Sequence, residues 1–250
     1  MIPTLKQIVY SVKLPVSKTE LVIRPYTMGE EKTILTVTSG EDKKMLFTNL
    51  IELVRMCIIS PPQSFVLEEL TSVDFYYLVL MLRARTKESV ITFKPKCVTC
   101  EKETDKEVFM HGELNLIDDL RVKNPETFES TVKIQEGNVS ITVKLPKFGV
   151  ISSLFDDIPD DDIENKYTQV IKMMYAHFVS LTTVDRIYTA EEVSADEFVK
   201  MVSDYFTEKD VGIISDAIAT LTSLYYPIRL KCPNKHVLNY DETDMISFFL

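Results

Sequence analysis

Two pairs of side chains in this sequence have the donor chemistry of a metal site. Cys97 and Cys100 are separated by two residues, and Cys232 and His236 by three. Thiolates and an imidazole are the ligands zinc prefers, and both spacings are those of chelating turns. Four protein donors complete a tetrahedral shell with no position left for water, so the implied role is structural, a clip between the C-terminal tail and the middle of the chain. Two other readings stand beside zinc: a redox pair, and thiols with no function. Redox chemistry fits the context poorly. A thioredoxin-like motif sits between a strand and the helix that lowers its thiol pKa, whereas Glu101, Glu103 and Asp105 follow here and their charge raises it.

The remaining reactive residue types have plainer roles. Cys57 falls on the apolar stripe of a helix and reads as a small buried hydrophobe. His177 lies beside an apolar helix stripe and His111 in a His-Gly turn, neither with a nucleophile or carboxylate placed beside it by the sequence. The acidic run from Asp156 to Glu164 lacks the Gly and the alternating ligands of a calcium loop and reads as charge at a helix start. Phosphate-binding and nucleophile-elbow motifs are missing from a chain with six glycines, which argues against an enzyme acting on nucleotides. With 250 residues, 45% of them apolar, the chain can bury its own core without disulfides. Its net charge of −10 opposes nucleic acid and anionic membranes as partners. Lys6 and Pro3 interrupt any signal-like segment and the longest apolar run, Phe75 to Leu82, is too short to span a bilayer, so a cytosolic protein is expected.

The elements that must position these residues follow from periodicity. Pro15 and Pro25 bracket an alternating segment that predicts a short hairpin at residues 14–26. Thr27 with Glu30 has capping-box spacing and predicts a helix to Thr36; a second helix is predicted from Asp42 to Ile59, ended by Pro61 and Pro62. Thr71 and Asp74 open a third helix, apolar almost all round and finished by Arg83, Arg85 and Lys87, cations that suit a helix C-terminus. Residues 89–145 alternate as short strands, VITFK, EVFM, ELNLI, STVKI and VSITVKL, with a turn at Glu136-Gly137-Asn138. Helical stripes then return: Ile163, Tyr167, Val170, Met174 and Phe178; Val211, Ile214, Ile218 and Leu221; and a helix capped by Ser194 and Glu197. The expected fold is α+β, in four segments: an N-terminal hairpin with helices (1–88), a small antiparallel sheet carrying the CxxC turn (89–146), a helical segment (147–224), and a strand-like tail with a zinc-ribbon-like site (225–250).

Two stretches resemble a known family. LVIRPYTMGEEKTIL is similar to the N-terminal signature of the baseplate hub proteins of T-even-type contractile-tailed bacteriophages, carried here by Arg24, Pro25, Glu30, Glu31 and Lys32. SVDFYYLVLMLRART is similar to the family's Tyr-Leu-rich helix, carried by Asp74, Tyr77, Leu78, Leu82, Arg83, Ala84 and Arg85, and Cys57 matches a cysteine closing the preceding helix. The resemblance implies a protein without enzymatic chemistry that works on the central hub of the tail. It would act either as an assembly factor or chaperone in the host cytoplasm or as a structural subunit kept in the virion baseplate. A zinc-ribbon regulator binding nucleic acid is the third reading, opposed by the charge. Other hub proteins are the implied partners, with self-association left open. Tyr76, Tyr77, Arg83 and Arg85 are the candidate partner contacts, the arginines meeting acids of their own chain or of a hub protein.

Overall fold

Val12, Leu21 and Ile23 are buried on one face of a hairpin while Ser11 and Val22 face outward, as a period of two requires of a half-buried sheet. In the computed structural model, which describes residues 7–32, 43–104, 107–155 and 163–242, this hairpin consists of β1 (Tyr10–Lys13) and β2 (Glu20–Ile23), antiparallel with Tyr10 opposite Ile23. It starts at Tyr10 rather than at residue 14, because the segment from Leu14 to Thr19 forms the turn, closed by the Leu14 N–H on the Thr19 carbonyl at 2.9 Å. The Thr27 capping box is present. The Thr27 N–H donates to the Glu30 carboxylate at 2.7 Å and the Glu30 N–H to the Thr27 hydroxyl at 3.3 Å. Residues 28–32 are helical, and the rest of that predicted helix lies outside the described residues.

Helix α1 (Lys43–Cys57) buries Leu53, Val54 and Cys57. It stops two residues short of the predicted end, since Ile58–Ile59 form β3, paired antiparallel with β2. β-branched residues before two prolines favour the extended backbone, and the open edge of β2 gives them a ladder to join. Helix α2 (Ser72–Thr86) opens with the Asp74 N–H on the Thr71 hydroxyl at 3.2 Å and buries Phe75, Leu78, Val79, Leu80, Met81 and Leu82 on several sides, as its all-round apolar sequence predicts. Next come β4 (Val90–Phe93), α3 (Val98–Thr104), β5 (Gly112–Asn115), antiparallel to β4, and β6 (Arg121–Lys123). The predicted strand at 107–110 is reduced to one bridge between Lys96 and Phe109, and α3 occupies a stretch read from the sequence as a simple turn.

A second group of elements follows: β7 (Glu129–Ile134), β8 (Val139–Lys144), α4 (Phe148–Phe155), α5 (Ile163–His177), β9 (Phe178–Thr182), β10 (Ile187–Thr189), α6 (Ala195–Tyr205) and α7 (Glu208–Ala219). The strands form an antiparallel sheet in the order β10-β9-β8-β7. Its inner face, with Ile134, Ile141, Val143 and Leu181, packs on Ile171 and Met174 of α5, Phe198 and Val202 of α6, and Ile214 and Ala217 of α7. The β7–β8 turn lies where the sequence placed it, but β9 and β10 correct the purely helical reading of residues 147–224. FVSLT buries Phe178 and Leu181, three apart across a register shift at Thr142/Val143, and extends the sheet edge left open by β8. The α5 stripe also differs: Met174 and Phe178 are buried, Tyr167 and Val170 are 51% and 57% exposed, and Ile171 joins the core instead. The repeat runs on toward the start of the helix, ahead of the residues that meet the sheet. The Ser194–Glu197 capping box forms as predicted, and α7 has a second, Thr207 with Asp210, whose carboxylate also accepts the Gln135 N–H at 2.8 Å. Most of the acidic run, residues 156–162, lies outside the described residues.

The last described elements are β11 (Ser223–Lys231) and β12 (Val237–Glu242), in a sheet ordered β12-β11-β6. The fold is α+β, in two compact units that interleave along the sequence. One takes in Met1–Gln63, Tyr76–Val122 and Leu224–Leu250; the other takes in Ser64–Phe75 and Lys123–Ser223.

Candidate metal centre

Two turns of the first unit build the centre. After β4 the chain is pinched by the Cys97 N–H on the Val108 carbonyl at 2.8 Å and the Met110 N–H on the Pro95 carbonyl at 2.9 Å. Cys97 immediately precedes α3 and its carbonyl accepts the Glu101 N–H at 3.1 Å, so Cys100, three residues on, lies one helical turn away on the same side. The second turn joins β11 to β12. Their register sets Lys231 opposite Val237 and leaves Cys232 to His236 as the loop. It is closed by the Lys235 N–H on the Cys232 carbonyl at 2.9 Å and the Cys232 N–H on the His236 carbonyl at 3.0 Å, with Lys235 in the left-handed region at φ 68°.

These turns bring all four predicted donors together. Cys97 Sγ is 3.7 Å and Cys100 Sγ 3.3 Å from His236 Nδ1, and Cys100 Sγ is 3.8 Å from Cys232 Sγ. The four ligand atoms lie within 4.8 Å of one another, a cluster able to hold a metal ion. The three cysteines are buried and His236 is half-buried. The surroundings treat the sulfurs unequally. Contrary to the rise expected from the acids that follow it, the Cys97 thiol, at the start of α3, is lowered to about 7 by the backbone amide of Cys100 and, more weakly, by His236. For Cys100 a hydrogen bond from Asn234 holds the thiol down, but burial and the neighbouring sulfurs of Cys97 and Cys232 outweigh it and push the group up to about 11. Asn234 is the one member of this centre that spacing alone did not reveal. Its amide Nδ2 donates to Cys100 Sγ at 3.4 Å, a contact spanning 134 residues.

The family model described as T4 bacteriophage base plate protein matches residues 7–250, nearly the whole chain. The chain belongs to this baseplate family. No curated protein and no solved structure matches it. Membership gives this baseplate protein a structural or assembly role in the phage tail baseplate, in contact with other baseplate proteins. Among the described residues no helix is long and apolar enough to cross a membrane.

The stretches that carried the resemblance form a clasp in this baseplate protein. Arg24 donates through both guanidinium nitrogens to Glu30, at 2.9 and 2.6 Å, and its own N–H to the Cys57 carbonyl at 2.9 Å. Lys87 pairs with Glu31 at 2.5 Å, and the Tyr26 N–H donates to the Thr86 hydroxyl at 3.2 Å. Of the proposed partner contacts, Arg83 donates to the Glu88 carbonyl at 3.2 Å, Arg85 lies 4.6 Å over the Tyr10 ring, and Tyr76 and Tyr77 are half-buried. Burial pushes the Cys57 thiol up to about 11, as expected of an inert core cysteine. His177 Nδ1 donates to the Lys144 carbonyl at 3.0 Å, and burial lowers its pKa; His111 is exposed.

The clasp has a pH signature. The Arg24 hydrogen bond lowers the Glu30 carboxyl to about 2, so its stabilising contribution is complete above the ordinary carboxylate value and is lost as pH falls from about 4.5 toward 2. Glu30→Gln keeps the side-chain length but removes the charge. It is expected to cost roughly 1.5–3 kcal/mol at pH 7 and much less at pH 2. Urea unfolding of both proteins at the two pH values measures this; an equal cost at both contradicts it.

Proposed function

We propose that this baseplate protein acts without catalysis as an assembly factor for the central hub of the tail, and that Cys97, Cys100, Cys232 and His236 hold one structural zinc ion. The family match over residues 7–250 carries the reading, and the donor set fits it. Two sulfurs each about 2.3 Å from a tetrahedral zinc stand about 3.8 Å apart, and a sulfur and a nitrogen somewhat less. The observed separations of 3.8, 3.7 and 3.3 Å are close to three of the six edges of such a shell, and all four atoms lie within 4.8 Å of one another. Four protein ligands leave no open coordination position, so the ion would staple the β11–β12 loop to the turn after β4. A nucleic-acid regulator is opposed by the net charge of −10.

The second reading, a subunit retained in the finished baseplate, fits the same family match equally well. Mass spectrometry of hub intermediates and of purified virions separates the two. An assembly factor is expected with hub complexes and missing from virions; a fixed stoichiometry in virions overturns that reading in favour of the second. Deletion is expected to block particles at the hub while other tail and head parts are made, and complete infective tails without the protein would overturn both readings. Of the four candidate contacts only Arg85 is exposed, and partner contact is proposed there.

A further inference from the structure

Three observations converge on a residue that is not itself a metal donor. First, Asn234 lies midway between Cys232 and His236, in the loop closed at both ends by backbone hydrogen bonds. Its side chain places Nδ2 3.4 Å from the sulfur of Cys100, in the other turn. Second, Cys100 is the most deeply buried of the four donors, at 0% exposure, so its sulfur has the least help from water as an anionic ligand. Third, the two turns differ in what their backbones offer. The first gives Cys97 a backbone hydrogen bond from Cys100. In the second turn, Pro233 follows Cys232 and has no N–H to give.

We infer that Asn234 is a positioning residue of the metal centre, its carboxamide reaching across from the tail turn to fix the Cys100 sulfur in its ligating position. The inference rests on the zinc reading above and extends it. An amide is the suitable group at this distance: neutral, a donor through nitrogen, and short enough to be held by the loop. A carboxylate of the same size would set negative charge against the sulfur. Hydrogen bonds of this kind to ligand atoms commonly govern metal affinity by 10–100-fold. The contact also works as a latch, since it forms only when the tail turn is seated on the turn after β4.

The test uses the full-length protein and two variants, Asn234→Ala and Asn234→Asp, the second preserving side-chain size in case the first perturbs the loop. Cobalt(II) titration followed by its sulfur-to-metal charge-transfer band, zinc back-titration, and the alkylation rate of Cys100 in the zinc-loaded protein are the readouts. Asn234→Ala is expected to bind both metals about 10–100-fold more weakly with faster Cys100 alkylation, and Asn234→Asp to be weaker still with a shifted charge-transfer band. If the parent binds metal and both variants match it within twofold in affinity and alkylation rate, the assignment of Asn234 is overturned and the zinc reading stands. If the parent binds neither metal, the zinc reading falls and this inference with it.

Discussion

Purified under reducing conditions without chelator, the protein is expected to carry one zinc ion per chain, and removing it is expected to release the C-terminal strands before anything else. Binding to a four-ligand structural site is of the order of 10 kcal/mol in small zinc modules, comparable to the whole stability of an ordinary domain. Here that energy acts on a loop between β11 and β12, so the amides of β12 and of the turn after β4 should lose hydrogen-exchange protection on chelation. Those of β8 and α7, in the unit built around Ile141, Phe198 and Ile214, should keep theirs. Cys232→Ser should reproduce the effect without chelator, lowering zinc content well below one per chain. Metal-free protein from gentle purification, with Cys232→Ser as stable as the parent, would refute the centre.

The other large effect belongs to the second unit. Phe75 and Phe148 stack with ring centroids 3.4 Å apart and planes 11° from parallel, both fully buried, and the Phe148 N–H donates to the Leu70 carbonyl at 2.7 Å. Phe148→Ala removes one ring and leaves a void beside the other. Buried Phe truncations cost about 3–5 kcal/mol, and this one should lie at the upper end because the ring is enclosed on every side. Phe148→Leu, which keeps most of the volume, should cost less than half as much. Urea titration read by near-ultraviolet circular dichroism distinguishes them, and equal midpoints for the parent and the Ala variant would show that the pair contributes no packing energy. The expected loss is independent of metal, so chelation and Phe148→Ala should add.

What the sequence made legible was local. The capping boxes at Thr27–Glu30 and Ser194–Glu197 depend on residues three apart, and each pair of metal donors is defined by a spacing of three or four positions. That the two pairs share one centre followed from chemistry, since two thiols, or a thiol and an imidazole, do not fill a tetrahedral shell. Features decided by a distant neighbour were not legible. Ile58–Ile59 leave the helical pattern because β2 offers an edge, β9 and β10 because β8 does, and Asn234 is one polar loop residue among many until Cys100 stands beside it. Helix α3 was missed because Val98-Thr99-Cys100 has weak helix propensity, and it is the fold around Cys97, not propensity, that winds it. The Thr207–Asp210 box was there to be read, with Asp in place of the usual Glu.

The interleaving of the two units sets an order of events during synthesis. The unit that bears the metal centre is begun by the earliest residues and completed by Leu224–Leu250, after the other has been made in full. Cys97 and Cys100 therefore leave the ribosome with only half of the proposed ligand set, and 131 residues separate Cys100 from the first of the missing donors. At bacterial elongation rates of about 5–20 residues per second the exposed thiol pair waits roughly 7–26 s. Metal capture by the proposed centre thus has to wait until residues 232–236 have been made. A chain cut short before Cys232 would contain an intact sequence for the second unit yet lack half of the proposed ligand set of the first.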